Sequence, residues 1–309
     1  SLKIIWPDKS YQTLKNIAVN QTLNISPSQN KPFDYNSLHF QKQLLFKKTL
    51  NNLGIDYIHN EDAYSDYLRQ KLIPYQMSDR GPAVSVGDLN ADGKEDIFFG
   101  GSKYIPSQVY IQGDTVFQKT DYPEINKDSI KEDITSIIAD FNNDGKNDLI
   151  VGTGGADFYN EMKPLTNSYY VSNNQTYSKK EFPEMFENTS VLLKLDYDHD
   201  DDLDLLVCNQ SISADYGNKP NSYLLKNENG NFSLADNTFE NLGMITDALV
   251  TDFNNDGWED LLFVGEWMSP RFFENNEGTF KEIYPLENDK LNGLWQAVTS
   301  FDIDGDGDQ

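Results

Sequence analysis

Along most of this chain the apolar residues come in short bursts, and the bursts come in pairs. Val84-Ser-Val-Gly87, Ile137-Ile-Ala139, Val191-Leu-Leu-Lys-Leu195, Ala248-Leu-Val-Thr251 and Ala297-Val-Thr-Ser-Phe301 each precede a polar stretch; Ile97-Phe-Phe99, Leu149-Ile-Val151, Leu205-Leu-Val207 and Leu261-Leu-Phe-Val264 follow one. Runs this short, rich in Val, Ile, Leu and Phe and bounded by Gly, Asn and Asp, predict strands and are too short for helices. Two further candidates follow in each period, such as Gln108–Gln112 with Val116–Lys119, and Ser222–Lys226 with Phe232–Leu234. The strand after each polar stretch is nearly all apolar, the pattern of a sheet covered on both faces. Cys208, the only cysteine, falls on such a strand and reads as a small buried hydrophobe.

The polar stretch between paired bursts is a nine-residue acidic cassette. Its copies are Asp88-Leu-Asn-Ala-Asp-Gly-Lys-Glu-Asp96, Asp140-Phe-Asn-Asn-Asp-Gly-Lys-Asn-Asp148, Asp196-Tyr-Asp-His-Asp-Asp-Asp-Leu-Asp204, Asp252-Phe-Asn-Asn-Asp-Gly-Trp-Glu-Asp260 and Asp302-Ile-Asp-Gly-Asp-Gly-Asp-Gln309, the last one residue short. Asn-Asp-Gly alone is ordinary turn chemistry. A turn, however, needs no acid at positions 1 and 9, and every complete copy has both. Side-chain oxygens at positions 1, 3 and 5, a turn at 6, an inward carbonyl at 7 and a carboxylate at 9 make a shell for Ca2+. The expected ligands are Asp88, Asn90, Asp92, Lys94 and Asp96; Asp140, Asn142, Asp144, Lys146 and Asp148; Asp196, Asp198, Asp200, Asp202 and Asp204; Asp252, Asn254, Asp256, Trp258 and Asp260; and Asp302, Asp304, Asp306 and Asp308, with Lys94, Lys146, Asp202, Trp258 and Asp308 at the carbonyl position. An EF-hand needs an acid at position 12, where this chain has Phe99, Val151, Val207 and Phe263.

First ligands recur at intervals of 52, 56, 56 and 50 residues. Four short strands in a period of about fifty residues describe a propeller blade. The predicted fold is therefore all-β: a calcium-loop propeller with four complete blades and the start of a fifth. The units typified by Val84-Ser-Val-Gly-Asp-Leu-Asn-Ala-Asp-Gly-Lys-Glu-Asp-Ile-Phe-Phe-Gly-Gly101 resemble the FG-GAP or VCBS repeats, which include the integrin alpha-subunit type. The resemblance implies about seven blades in the parent protein and a secreted or outer-surface setting. Asp201 stands where that family prefers Gly.

The front of the chain has no cassette. Residues 1–26 predict strands at Leu2–Trp6, Tyr11–Leu14 and Thr22–Ile25, the first two joined by a Pro-Asp-Lys-Ser turn. With its Trp-Pro, Gln-Thr-Leu and final Asn-Gln-Thr-Leu, this stretch resembles the closing part of an ASPIC/UnbV domain, a domain that accompanies VCBS-type repeats. Residues 27–81 read as a polar linker and a lead-in expected to pack on the blades, with a short helix or strand around Phe40, Leu44 and Leu45. Residues 82–309 form the repeat region, and both chain ends read as truncated.

Charge narrows the function. Fifty acids against 25 Lys and Arg give a net charge of −25. Residues 1–58 hold 7 Lys and 3 acids, so residues 59–309 hold 18 basic and 47 acidic side chains, of which 16 acids occupy cassette positions 1, 3, 5 and 9. Such a field disfavours nucleic acid. No apolar run is long enough to span a membrane, and no signal peptide is present. Calcium modules of modest affinity work at the millimolar calcium found outside cells, which favours an extracellular or cell-surface location, including outer-membrane anchorage through a region outside this sequence.

In an up-and-down blade the cassettes share one rim, which leaves the loops between second and third strands on the other. Tyr104, Asp157, Phe158, Tyr159, Tyr216, Trp267 and Trp295 are the candidate contact residues there, for sugar rings or a protein partner. The same aromatics also suit plain sealing of blade against blade. Of the three histidines, His199 sits at variable cassette position 4 and is expected to face water, and His59 reads as a packed or capping residue. None has a catalytic or metal-ligand spacing, so the expected role is non-catalytic recognition or scaffolding. The alternative is the scaffold of a secreted enzyme acting on polysaccharide or another surface polymer, with Asp157 or Glu161 as the residues to test.

Overall fold

The computed structural model describes residues 2–27, 31–34, 48–49, 51–173, 175–236, 239–285 and 291–302. The chain divides into two compact units, residues 1–50 and 51–309. In the first, β1 (Leu2–Ile5), β2 (Ser10–Leu14) and β3 (Lys31–Pro32) form an antiparallel sheet in the order β1-β2-β3. Asp8 holds the predicted turn by accepting from the Ser10 amide (2.9 Å) and hydroxyl (2.5 Å). Phe33 packs edge-on against Tyr11, with centroids 5.6 Å apart, and Lys3 lies over both rings. The expected strand at Thr22–Ile25 does not form; β3 takes the place beside β2, and no described strand pairs with those residues. The element expected around Phe40, Leu44 and Leu45 lies outside the described residues.

The second unit holds four four-stranded antiparallel meanders. They are β4 (Val84–Gly87), β5 (Asp96–Phe99), β6 (Gln108–Gln112) and β7 (Phe117–Thr120); β8 (Asp133–Ala139), β9 (Asp148–Thr153), β10 (Ser168–Ser172) and β11 (Tyr177–Lys180); β12 (Glu187–Leu195), β13 (Asp204–Ile212), β14 (Tyr223–Glu228) and β15 (Asn231–Asp236); and β16 (Met244–Thr251), β17 (Asp260–Met268), β18 (Arg271–Asn276) and β19 (Thr279–Ile283). A two-residue β20 (Gly293–Leu294) pairs with the far end of β17. Each cassette is the turn from first to second strand, so every second strand begins at its ninth residue: Asp96, Asp148, Asp204 and Asp260. Ala297–Phe301, expected as a further first strand, is not a strand; among the described residues no neighbour offers it a ladder, and its Val298 amide bonds Asp247 (2.9 Å) instead.

The second strands of the two inner sheets, β9 and β13, are covered on both sides, as their apolar sequences require. Three hydrophobic clusters alternate with the sheets: Phe98, Val109, Leu149 and Tyr170 between the first and second; Ile150, Tyr169, Leu205 and Leu225 between the second and third; Leu206, Cys208, Leu261 and Phe263 between the third and fourth. First strands of successive sheets also touch, through the Ser136–Ser85 hydroxyl pair (2.8 Å) and the Ser190 hydroxyl on Ile245 O (2.7 Å). Cys208 has no exposed surface, and burial pushes its thiol up out of the reactive range.

Residues 51–56 meet the start of β7, where the Phe117 amide bonds Leu53 O (2.7 Å), and residues 57–81 run across the sheets at the end away from the cassettes. Tyr57 stacks on Phe99 at 4.2 Å, Tyr64 and Arg69 donate to Ala156 O (both 3.2 Å), and the Tyr75 hydroxyl bonds Glu266.

The ninth cassette residue is the internal tie of each sheet. Asp96, Asp148, Asp204 and Asp260 all have 0% exposure. One carboxylate oxygen takes an amide from the third strand, Gln112 (2.8 Å), Ser172 (2.9 Å), Asn227 (2.8 Å) or Asn275 (2.8 Å). The other takes the amide of cassette position 2 in three copies, Leu89 (2.9 Å), Tyr197 (3.3 Å) and Phe253 (3.2 Å), and the Tyr169 hydroxyl (2.9 Å) at Asp148. Asp260→Ala would strand the buried Asn275 amide and the half-buried Phe253 amide, and an unsatisfied buried donor costs about 1–3 kcal/mol. Urea unfolding in chelator, where no ion contributes, is expected to show a loss of about 3 kcal/mol for this variant; a loss below about 0.5 kcal/mol would show that the carboxylate is not a tie.

Candidate metal loops and rim cleft

All four described cassettes fold alike. The position-5 amide donates to the position-1 carboxylate (Asp92 to Asp88, Asp144 to Asp140, Asp200 to Asp196, Asp256 to Asp252; each 3.1 Å). The position-6 amide takes the other oxygen of the same carboxylate at 2.7, 2.7, 3.2 and 2.8 Å, and the position-7 amides of Lys94, Lys146, Asp202 and Trp258 bond the position-5 carboxylate at 2.9–3.0 Å. Asn90, Asn142 and Asn254 add a second acceptor on the position-5 amide (3.0, 3.0 and 2.9 Å). The left-handed turn falls on Gly93, Gly145 and Gly257, and in the third loop on Asp201 at φ +68°. Asp, whose short polar side chain tolerates this region, keeps that loop in the common shape.

The first three loops are also tied to the following sheet. The carbonyl of position 2 accepts from Tyr177 Oη on Leu89 (3.0 Å), Asn227 Nδ2 on Phe141 (2.7 Å) and Asn275 Nδ2 on Tyr197 (2.9 Å). The same two asparagines accept the amides of Gly230 (2.7 Å) and Gly278 (2.9 Å) through Oδ1. At Gly230 a Cβ would stand 2.9 Å from the Asn142 Cβ, so the hairpin closes directly on the preceding cassette. Position 8 reaches the same neighbour: Asn147 Nδ2 donates to Asp88 O (2.9 Å), and Glu259 accepts the Asp196 amide (3.3 Å). His199 is exposed, as expected, and also stacks on Trp258 of the next cassette at 3.7 Å. The asparagine clasp went unrecognised in the sequence, although Asn227-Glu-Asn-Gly-Asn-Phe232 and Asn275-Asn-Glu-Gly-Thr-Phe280 share an Asn-x-x-Gly-x-Phe signal.

At the other end of the second strands the rim candidates form two separate groups. Tyr104 and Phe158 flank Lys103 at 5.5 Å, Asp157 pairs with the same ammonium, and Tyr159 lies under Arg69 at 4.5 Å. Tyr216 and Trp267 belong to a cleft of about 940 Å3, lined also by Leu72, Arg271, Tyr284 and Asn292. Its floor is Glu266, buried and held by the hydroxyls of Tyr75 and Tyr216 (2.6 Å for Tyr216) and the Gln210 amide (2.9 Å). Burial raises the Glu266 carboxyl above its ordinary range. Tyr216 Oη in turn accepts from Trp267 Nε1 (3.3 Å), whose ring is 61% exposed on a backbone at φ +59°. Trp295 is anchored nearby by its amide on Gly265 O (3.2 Å) and its indole on Leu291 O (3.0 Å).

The FG-GAP-like repeat model matches residues 88–151 and 252–309, and the FG-GAP repeat model matches residues 136–173. The chain carries FG-GAP-like repeats. The third loop, with Asp201 in place of Gly, lies outside these matches. The ASPIC and UnbV family matches residues 1–32. No curated protein sequence matches the chain. Among solved structures, a lectin of Agrocybe aegerita, described for specific recognition of non-reducing terminal N-acetylglucosamine, is similar at 16% identity and a TM-score of 0.44. The likeness covers 68% of this chain and 53% of the lectin chain, so this chain spans about half of its length.

Calcium is the ion such repeats imply, and the donor set of the third loop is one that could hold it. In the third loop Asp196, Asp198, Asp200 and Asp204 offer carboxylate oxygens all within 4.8 Å of one another, and Asp198 Oδ1 is buried without a hydrogen-bond partner. Lys226 supplies positive charge to Asp198 and Asp200 (3.0 Å to Asp200). Burial pushes the Asp204 carboxyl up to about 7, and a bound cation opposes that shift. In the fifth loop Asp304, Asp306 and Asp308 lie outside the described residues.

Because Asn275 serves both Tyr197 O and the Gly278 amide, Asn275→Ala is expected to lower stability by about 2 kcal/mol. The check is chemical denaturation beside Asn276→Ala, a neighbouring control; equal stability of the two variants would remove the clasp from the account.

Proposed function

We propose that the FG-GAP repeats form calcium-braced blades around a common axis and act outside the cell as a recognition module, with a glycan bound in the Trp267 cleft. The observation that carries this reading is an exposed indole held rigid beside a buried acid. A large aromatic left open on a preorganised floor is a contact surface, since its ordering cost is already met before a ligand arrives. Flat rings of Trp267, Tyr216 and Tyr284 suit the apolar faces of a sugar, while Lys219, Asn292 and the paired Arg271–Glu282 offer groups for hydroxyls. Recognition, not turnover, is the role this arrangement supports.

Calcium would serve here as a brace. Its sites lie at the opposite ends of the second strands from the cleft, so it stiffens the scaffold and does not touch the ligand. By mass action, an ion at a hundredfold its Kd adds about 2.7 kcal/mol per site. Chelation is therefore expected to lower the melting temperature by about 10 °C or more, and calcium, not magnesium, is expected to restore it. An unchanged melting curve after chelation would count against the brace.

The cleft is tested by calorimetry and glycan arrays on the calcium-loaded chain. Trp267→Ala is expected to weaken glycan binding about tenfold or more, about 1.4 kcal/mol, with the melting temperature unchanged because the ring is exposed. Binding of proteins only, or glycan binding indifferent to Trp267, would contradict the assignment.

A further inference from the structure

Residues 57–81 build a second polar constellation that the calcium loops do not explain. A ring nitrogen of His59, a Glu61 carboxylate oxygen and an Asp79 carboxylate oxygen lie within 4.8 Å of one another. The imidazole is oriented by Tyr57. That hydroxyl spends its hydrogen on Gly100 O (3.1 Å), which leaves its lone pairs for the His59 Nδ1–H (2.9 Å). Nε2 is thus left as an acceptor, and it faces Glu61 directly. An imidazole fixed through one nitrogen with its other lone pair aimed at carboxylates is the arrangement of a metal-bound histidine with its outer hydrogen bond in place.

An independent observation comes from the neighbouring sheet. Glu132 is 6% exposed, and its Oε1 is buried without a hydrogen-bond partner, although Oε2 accepts the Lys103 amide (3.1 Å). A Cβ at Gly81 would stand 3.4 Å from His59 Cε1 and 3.5 Å from Glu132 Oε1, so both groups open onto the same space, which the glycine leaves clear. An unpaired buried carboxylate oxygen is costly, and the groups around this space are mostly acceptors.

We propose that His59, Glu61 and Asp79, with Glu132 behind them, bind one divalent transition-metal ion. One imidazole nitrogen among carboxylates selects zinc- or manganese-type ions, whereas the cassettes, with oxygen ligands only, select calcium. The ion would fasten the lead-in segment to the sheets at the rim away from the calcium loops.

The probe is zinc chloride, titrated calorimetrically into the full chain after chelation and return to millimolar calcium, so that the cassettes are filled. The expected result is one saturable zinc site per chain, weakened about tenfold or more by His59→Gln and by Asp79→Asn, and unaffected by His199→Gln. Asp79 is exposed, so its variant tests the site even if His59→Gln fails to fold. No zinc uptake in calcium buffer, which would mean that a proton alone bridges His59 and Glu61, overturns the proposal. So does uptake that both variants leave unchanged, or that follows His199.

Discussion

A buried carboxylate closing a hairpin onto its own sheet is the interaction on which the repeat region depends. Four times an Asp with no exposed surface sits at the first residue of a second strand and takes an amide from the third strand. Burying a charge is tolerable only when it is fully bonded, and here the backbone provides the donors. This one residue fixes the start of the second strand, the register of the third and the shape of the acidic loop, because in three copies the other oxygen reaches back to position 2.

The remaining architecture follows from that tie. In the first three loops the carbonyl of position 2 points to the next sheet and is taken by Tyr177, Asn227 or Asn275, so each of these loops belongs to two sheets. A cation within a loop would therefore brace a junction as well as a turn. The second strands run from these loops to the opposite rim, where Glu266 ends a nearly continuous apolar run and organises Tyr75, Tyr216 and Gln210 around itself. Rigidity built at one end is delivered as a preformed surface at the other.

The sequence disclosed what is local and repeated. The cassettes set the hairpins, and uniform apolarity of strands such as Leu205–Cys208 announced burial on both faces, because these signals depend on neighbours along the chain. What it concealed depends on partners far away. Ala297–Phe301 has a strand's composition but no strand beside it among the described residues, and Thr22–Ile25 lost its place to β3. Glu266 looks like a surface acid until Tyr75 arrives from 191 positions earlier. Its neighbour Trp267 was recognisable as an aromatic on the right rim, but not its pairing with Tyr216 or its separation from Tyr104 and Tyr159. His59 carried no spacing motif because its orienting group is the phenol of Tyr57, and Glu132, which opens onto the same space, comes from another element.

The central claim is that an ion sits in each acidic hairpin and thereby joins consecutive sheets. A high-resolution crystal structure grown in calcium tests it most directly: the account predicts, at each of the four described cassettes, density with about seven oxygen neighbours near 2.4 Å, contributed by positions 1, 3, 5, 7 and 9. Water alone in those loops at saturating calcium would contradict it.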